Sequence, residues 1–99
     1  MERYAELGGQ GYRLRYTVNA MCEIEEKAGV PLNELLKNQF SAARLLLWGG
    51  LIELQPGVTR AEAGRILDRE LAAGGTLDGV VAACVDAMRG AGFFGPEAE

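Results

Sequence analysis

The chain has 99 residues, ten basic against fourteen acidic, for a net charge of -4, and no histidine. That length suits one domain able to form a core without disulfides or metal, and a 48% hydrophobic content is too high for a disordered chain. The acidic balance disfavours a phosphate backbone as partner, the more so because Arg13, Arg15, Lys27, Lys37, Arg44, Arg60, Arg65, Arg69 and Arg89 are spread along the sequence.

At the start, Tyr4-Ala5-Glu6-Leu7 and Tyr12-Arg13-Leu14-Arg15-Tyr16 are strand-like runs around Gly8-Gly9-Gln10-Gly11, which predicts a hairpin over residues 1–16. Alternation places Tyr12, Leu14 and Tyr16 on a packed face and Arg13 and Arg15 on a wet one. Two strands alone are marginal in water, so the hairpin must lie on helices or gain strands from another subunit. Thr17 is the predicted N-cap of a helix through Val18, Met21, Cys22, Glu25 and Ala28, stopped by Gly29. Pro31 suits the start of a short helix over Leu32 to Asn38. Ser41 is the predicted cap of a third helix, Ala42 to about Leu54, apolar around nearly its whole circumference and therefore central. Thr59 and Glu62 form a capping box for a fourth helix running to about Ala73. Thr76 caps a fifth, in which Leu77, Val80, Val81, Cys84, Val85 and Met88 recur at helical spacing.

The expected fold is mainly α: one domain, a compact bundle of about five short helices over residues 17–92, preceded by the hairpin and followed by an acidic tail over 93–99. The longest apolar run, Leu45 to Ile52, is far short of a membrane span, and the N-terminus lacks the order of a signal peptide. No membrane and a cytoplasmic location are expected, and Cys22 and Cys84 read as reduced core residues.

No enzyme chemistry emerges. Glu23, Glu25 and Glu26 cluster without calcium-loop geometry, with Glu23 and Lys27 spaced as an ion pair. Asp68, Glu70, Asp78 and Asp86 have Arg65, Arg69 and Arg89 as surface partners. The Gly8–Gly11 run joins two strands instead of opening a helix, so it is turn chemistry and no dinucleotide loop. No cofactor and no metal are expected. Candidate partner-binding residues are Trp48, Arg13 and Arg15 beside an open strand edge that could pair between subunits, and Phe93 and Phe94, two aromatics between glycines beyond the last helix. The two phenylalanines are expected to fold back over the helices more readily than to dock a partner.

Taken together, the hairpin, Tyr12-Arg-Leu-Arg-Tyr-Thr with its Glu-rich helix, Ala28-Gly-Val-Pro-Leu-Asn-Glu-Leu-Leu, Ala43-Arg-Leu-Leu-Leu-Trp-Gly-Gly-Leu and Thr59-Arg-Ala-Glu-Ala-Gly resemble the tail assembly chaperones of long-tailed phages, above all the gene transfer agent branch. The resemblance spans nearly the whole chain. It implies a protein of the host bacterial cytoplasm, without catalysis, that binds the tape measure protein and helps tail tube protein polymerise around it. Many members also have a frameshifted longer form, and a chain ending at Glu99 is similar to the short form or to a member without extension. The alternative expectation is a structural tail completion or connector protein retained in the particle.

Overall fold

Gly8 and Gly9 adopt φ values of 59° and 85°, positive at both central positions of a two-residue turn. That is the geometry whose twist matches a right-twisted hairpin. The computed structural model describes residues 2–94. Residues 95–99, most of the acidic tail, lie outside the described residues. β1 (Glu2–Leu7) and β2 (Gln10–Arg15) pair antiparallel from Glu2↔Arg15 to Leu7↔Gln10. The turn is tighter than the four-residue loop expected, because two residues at positive φ reverse the chain and release Gln10 and Gly11 into the strand. Alternation holds: Leu7 and Leu14 are buried, Ala5 and Tyr12 are packed against the core, and Arg13 and Arg15 are exposed.

α1 (Val18–Ala28) starts with the Thr17 hydroxyl accepting from the Ala20 N–H and ends at Gly29, whose φ is 73°. Its buried stripe is Ala20 and Ile24. Cys22 is exposed, a correction to its reading as core. Two residues on from Ala20, at about 100° per residue, it stands on the far side of the helix. α2 is shorter than expected, Leu32–Leu35 in place of Leu32 to Asn38. The bonds Lys37 N–H to Glu34 O and Asn38 N–H to Leu35 O tighten the chain into i→i+3 turns.

α3 spans Gln39–Leu51, so it begins and ends three residues earlier than expected. Asn38 takes the N-cap position, without a side-chain cap bond, and Ser41 lies inside the helix. Ala42, Ala43 and every residue from Leu45 to Leu51 are buried, which leaves Arg44 as the exposed interruption. α4 (Arg60–Ala72) opens on the expected capping box, with both Thr59–Glu62 bonds formed. α5 (Leu77–Gly90) opens on Thr76, whose hydroxyl accepts from the Gly79 N–H. It buries Leu77, Val80, Cys84, Ala87 and Met88, while Val81 and Val85 are half-buried.

The architecture is the expected mainly α bundle behind an N-terminal hairpin. α3 is its axis, packed against α5, α1, α4 and β2. A radius of gyration of 12.6 Å matches the ~13 Å of a compact chain this long. Close approach to the axis depends on Gly49 and Gly50. A Cβ at Gly49 would stand against the Ile24 side chain, and one at Gly50 would lie 2.7 Å from the Tyr16 hydroxyl and 3.1 Å from Leu14. No described helix is long and apolar enough to cross a membrane.

Candidate functional site

α4 has two faces, and only one serves the core. Ala63, Ile66 and Leu67 turn inward, whereas Ala61, Gly64, Arg65, Asp68 and Leu71 recur at i, i+3, i+4, i+7 and i+10 along a second stripe. With Phe40, Ser41 and Arg44 of α3 and Leu77 at the start of α5, this stripe lines a groove of about 500 Å³. Phe40 is 75% exposed there and Leu71 43%. Burying a phenylalanine is worth about 1.5–3 kcal/mol, a stabilisation that Phe40 leaves unused beside the groove. Ala61 and Gly64 are the small residues of this stripe, and the Arg44 side chain lies over Gly64, its Cδ 3.6 Å from where a Cβ would stand.

Arg44 and Ala61 also border a second cleft, of about 550 Å³, together with Lys27, Trp48, Thr59 and Arg60. Three cations from α1, α3 and the first turn of α4 therefore meet in one place. The basic residues read as dispersed along the sequence are partly gathered by the fold, a correction that leaves the net charge of -4 unchanged. Among the described residues, Lys27, Arg44 and Arg60 make no ion pair within 4 Å and no side-chain hydrogen bond.

The residues proposed from sequence do not converge on one site. Arg13 and Arg15 share the outer hairpin face, where Arg13 lies 3.9 Å from Glu2. Among the described residues β1 and β2 pair only with each other, so both outer edges of the two-stranded sheet are open. Trp48 belongs to the core at 8% exposure, and its indole N–H donates to the Val58 carbonyl at 3.3 Å, so only its rim reaches the cationic cleft. Phe93 folds back and is packed against the core, as expected. Phe94 remains 45% exposed, with the Arg89 guanidinium 5.9 Å from its ring centre. Phe40, Leu71, Lys27, Arg44 and Arg60 were missed as a site. The available signal was the spacing of Phe40 and Arg44, one turn apart on an otherwise apolar helix, but starting α3 at Ala42 cut Phe40 out of it.

Several acidic side chains hold other parts of the fold. Asp86 pairs with Arg89 at 3.1 Å, as expected. Glu23 and Lys27 do not pair within 4 Å among the described residues. Glu70 accepts from the Gly8 N–H at 2.8 Å and Asp78 accepts from the Gln39 amide at 3.2 Å, so both answer distant elements in place of neighbouring arginines. Among the described residues no group of three or more His, Cys, Asp or Glu is placed to hold a metal ion.

One buried polar pair lies inside the bundle. The Tyr16 hydroxyl donates to the Leu46 carbonyl and faces the Cys84 thiol. Burial pushes the tyrosine well above its ordinary 10.0, with the nearby Cys84 adding to the rise. Burial likewise raises the Cys84 thiol from 9.0 to about 11, against a smaller lowering by the Tyr16 hydrogen bond. Both groups are neutral near pH 7, which makes the pair a packing device and Cys84 a poor nucleophile. Compared with protein-family models, curated proteins and solved structures, the chain finds no match.

Proposed function

We propose that this chain is a tail assembly chaperone of a phage or prophage, acting in the host cytoplasm as a binding protein without catalysis. Its clients are the tape measure protein and, at the handover, the tail tube protein. One structural observation supports the reading: the apolar groove between α3 and α4, with Phe40 at 75% exposure. The sequence resemblance to tail assembly chaperones, spread over nearly the whole chain, supplies the identity of the partner.

The physical task is modest. A long helical client exposes apolar stripes until tube subunits cover them, and a small partner that binds those stripes lowers the concentration of free, aggregation-prone client by mass action. Tube subunits then displace it because they bury more of the same surface. Nothing in this cycle requires bond chemistry. The test is co-expression with a tape measure candidate from the neighbouring genes. Rescue of that protein's solubility with stable co-elution is the expected result. Failure of rescue, with this chain found by mass spectrometry in purified tails, would assign it to the structural alternative, a tail completion or connector protein.

A further inference from the structure

Lys27, Arg44 and Arg60 come from three helices and line one cleft whose lining holds no carboxylate, and among the described residues none of the three has an ion-pair partner within 4 Å. Like charges gathered in a cleft repel one another, and the field they focus attracts an anionic group. The N-terminus of α4 adds a partial positive charge at the same place. Glu62 already answers part of it through the Thr59 N–H at 2.8 Å, so the three side chains carry the argument. This cleft adjoins the groove at Arg44 and Ala61, which border both. The groove side of this surface carries Phe40, Leu71 and Leu77 with Arg65 and Asp68 among them, and the cleft side is lined by cations without a carboxylate.

We propose that the joined surface docks an acidic amphipathic helix of a partner protein. Its apolar side lies against Phe40 and Leu71, and its carboxylates meet Lys27, Arg44 and Arg60. A helix fits because the walls are themselves helices and the α4 wall is low at Ala61, the arrangement that receives an amphipathic helix in a groove. Acidic character follows from charge complementarity. A nucleic acid would use the cationic end and leave the apolar end empty. The inference rests on reading the groove as a docking surface, as the preceding proposal does, but not on tail assembly. A second copy of this chain, whose α1 exposes Glu23, Glu25 and Glu26, is the competing occupant.

The test uses a fluorescently labelled synthetic peptide of about five helical turns, with leucines at i, i+3, i+4 and i+7 and glutamates on one flank, beside its lysine-substituted twin. Binding is followed by anisotropy and by the emission of Trp48, the one tryptophan, whose rim borders the cleft. The glutamate peptide is expected to bind at least about tenfold more tightly than the lysine peptide at low salt, with the preference shrinking as salt rises. Arg44→Glu, Lys27→Glu and Phe40→Ser should each weaken it by about tenfold or more, with far-UV circular dichroism unchanged, whereas Arg15→Glu should not. Equal binding of the two peptides would overturn the proposal, as would affinity indifferent to the three variants or an oligonucleotide of equal charge competing as well as the peptide. A dimer that Phe40→Ser converts to monomer with no change in peptide affinity would overturn it in favour of a second copy. Peptide binding with no capture of the tape measure protein would remove the tail reading alone. Capture that survives Phe40→Ser and Arg44→Glu would remove this inference alone.

Discussion

Two absent methyl groups, at Gly49 and Gly50, let Ile24 and Tyr16 reach the backbone of the central helix. Each glycine costs the helix about 1 kcal/mol relative to alanine, and the packing it permits outweighs that. Gly49→Ala and Gly50→Ala are therefore expected to lower stability by about 1–3 kcal/mol, read from the denaturant midpoint. A rise in midpoint would show that helix propensity governs these positions instead. The same neighbourhood sets the response to alkali. Cys84 titrates near 11 when folded and 9.0 ordinarily, so its burial contributes fully below pH 9 and the contribution is lost as pH rises from 9 through 11. Tyr16, also shifted upward, adds to the loss in the same direction. The urea midpoint should thus fall between pH 9 and 11. Cys84→Ala should flatten that fall, and an unchanged slope in the variant would remove Cys84 as its source.

At the scale of elements, the end of α4 clamps the hairpin. Glu70 accepts from the Gly8 N–H at 2.8 Å, and the adjacent Arg69 donates to the Tyr12 hydroxyl at 3.1 Å. Gly8 is doubly required, by its φ of 59° and because a Cβ there would come within 2.7 Å of the Arg69 Cβ. Glu70→Ala should increase hydrogen exchange at the Gly8 amide and cost about 1–2 kcal/mol, leaving exchange within α3 unchanged at low denaturant. Protection at Gly8 equal to that of the wild type would show that the turn holds itself. Pattern reading recovered the capping box of α4, the Thr76 cap and the Gly29 stop, because each is a local signal spanning a few residues. It misplaced α3, since Ser41 is as good a cap by composition as Asn38 and the choice depends on where the α2 turns end. It also assigned Glu70 and Asp78 to the arginines of α4 and α5, when their partners, Gly8 and Gln39, are 62 and 39 residues distant.

For the molecule as a whole, the hairpin is a lid over the bundle and α3 is its axis. Leu7, Leu14 and Tyr16 are in the same core as Ile24, Leu46, Leu47, Leu51 and Met88. Two isolated strands are marginal in water and their inner face has nowhere else to go. A chain beginning at Tyr16 should accordingly lose its cooperative thermal transition and bind a hydrophobic dye. A sharp transition in that truncated chain would mean the helices fold alone. The groove belongs to this scale too. α3 packs against α5, α1, α4 and β2, and Phe40 and Leu71 stay in water beside the groove that α3 and α4 line.

Sequence alone determined the mainly α class, the hairpin, the order of five helices and the centrality of the third, because these follow from periodicity, caps and turn residues acting over short spans. It did not reveal that Cys22 is exposed, that Phe40 is the most exposed large hydrophobic among the described residues, or that Lys27, Arg44 and Arg60 share a cleft. Those depend on which angle each helix presents to its neighbours. That angle is set by contacts between residues far apart in the chain, Gly49 with Ile24, Gly50 with Tyr16 and Glu70 with Gly8, and such contacts exist only once the bundle has closed.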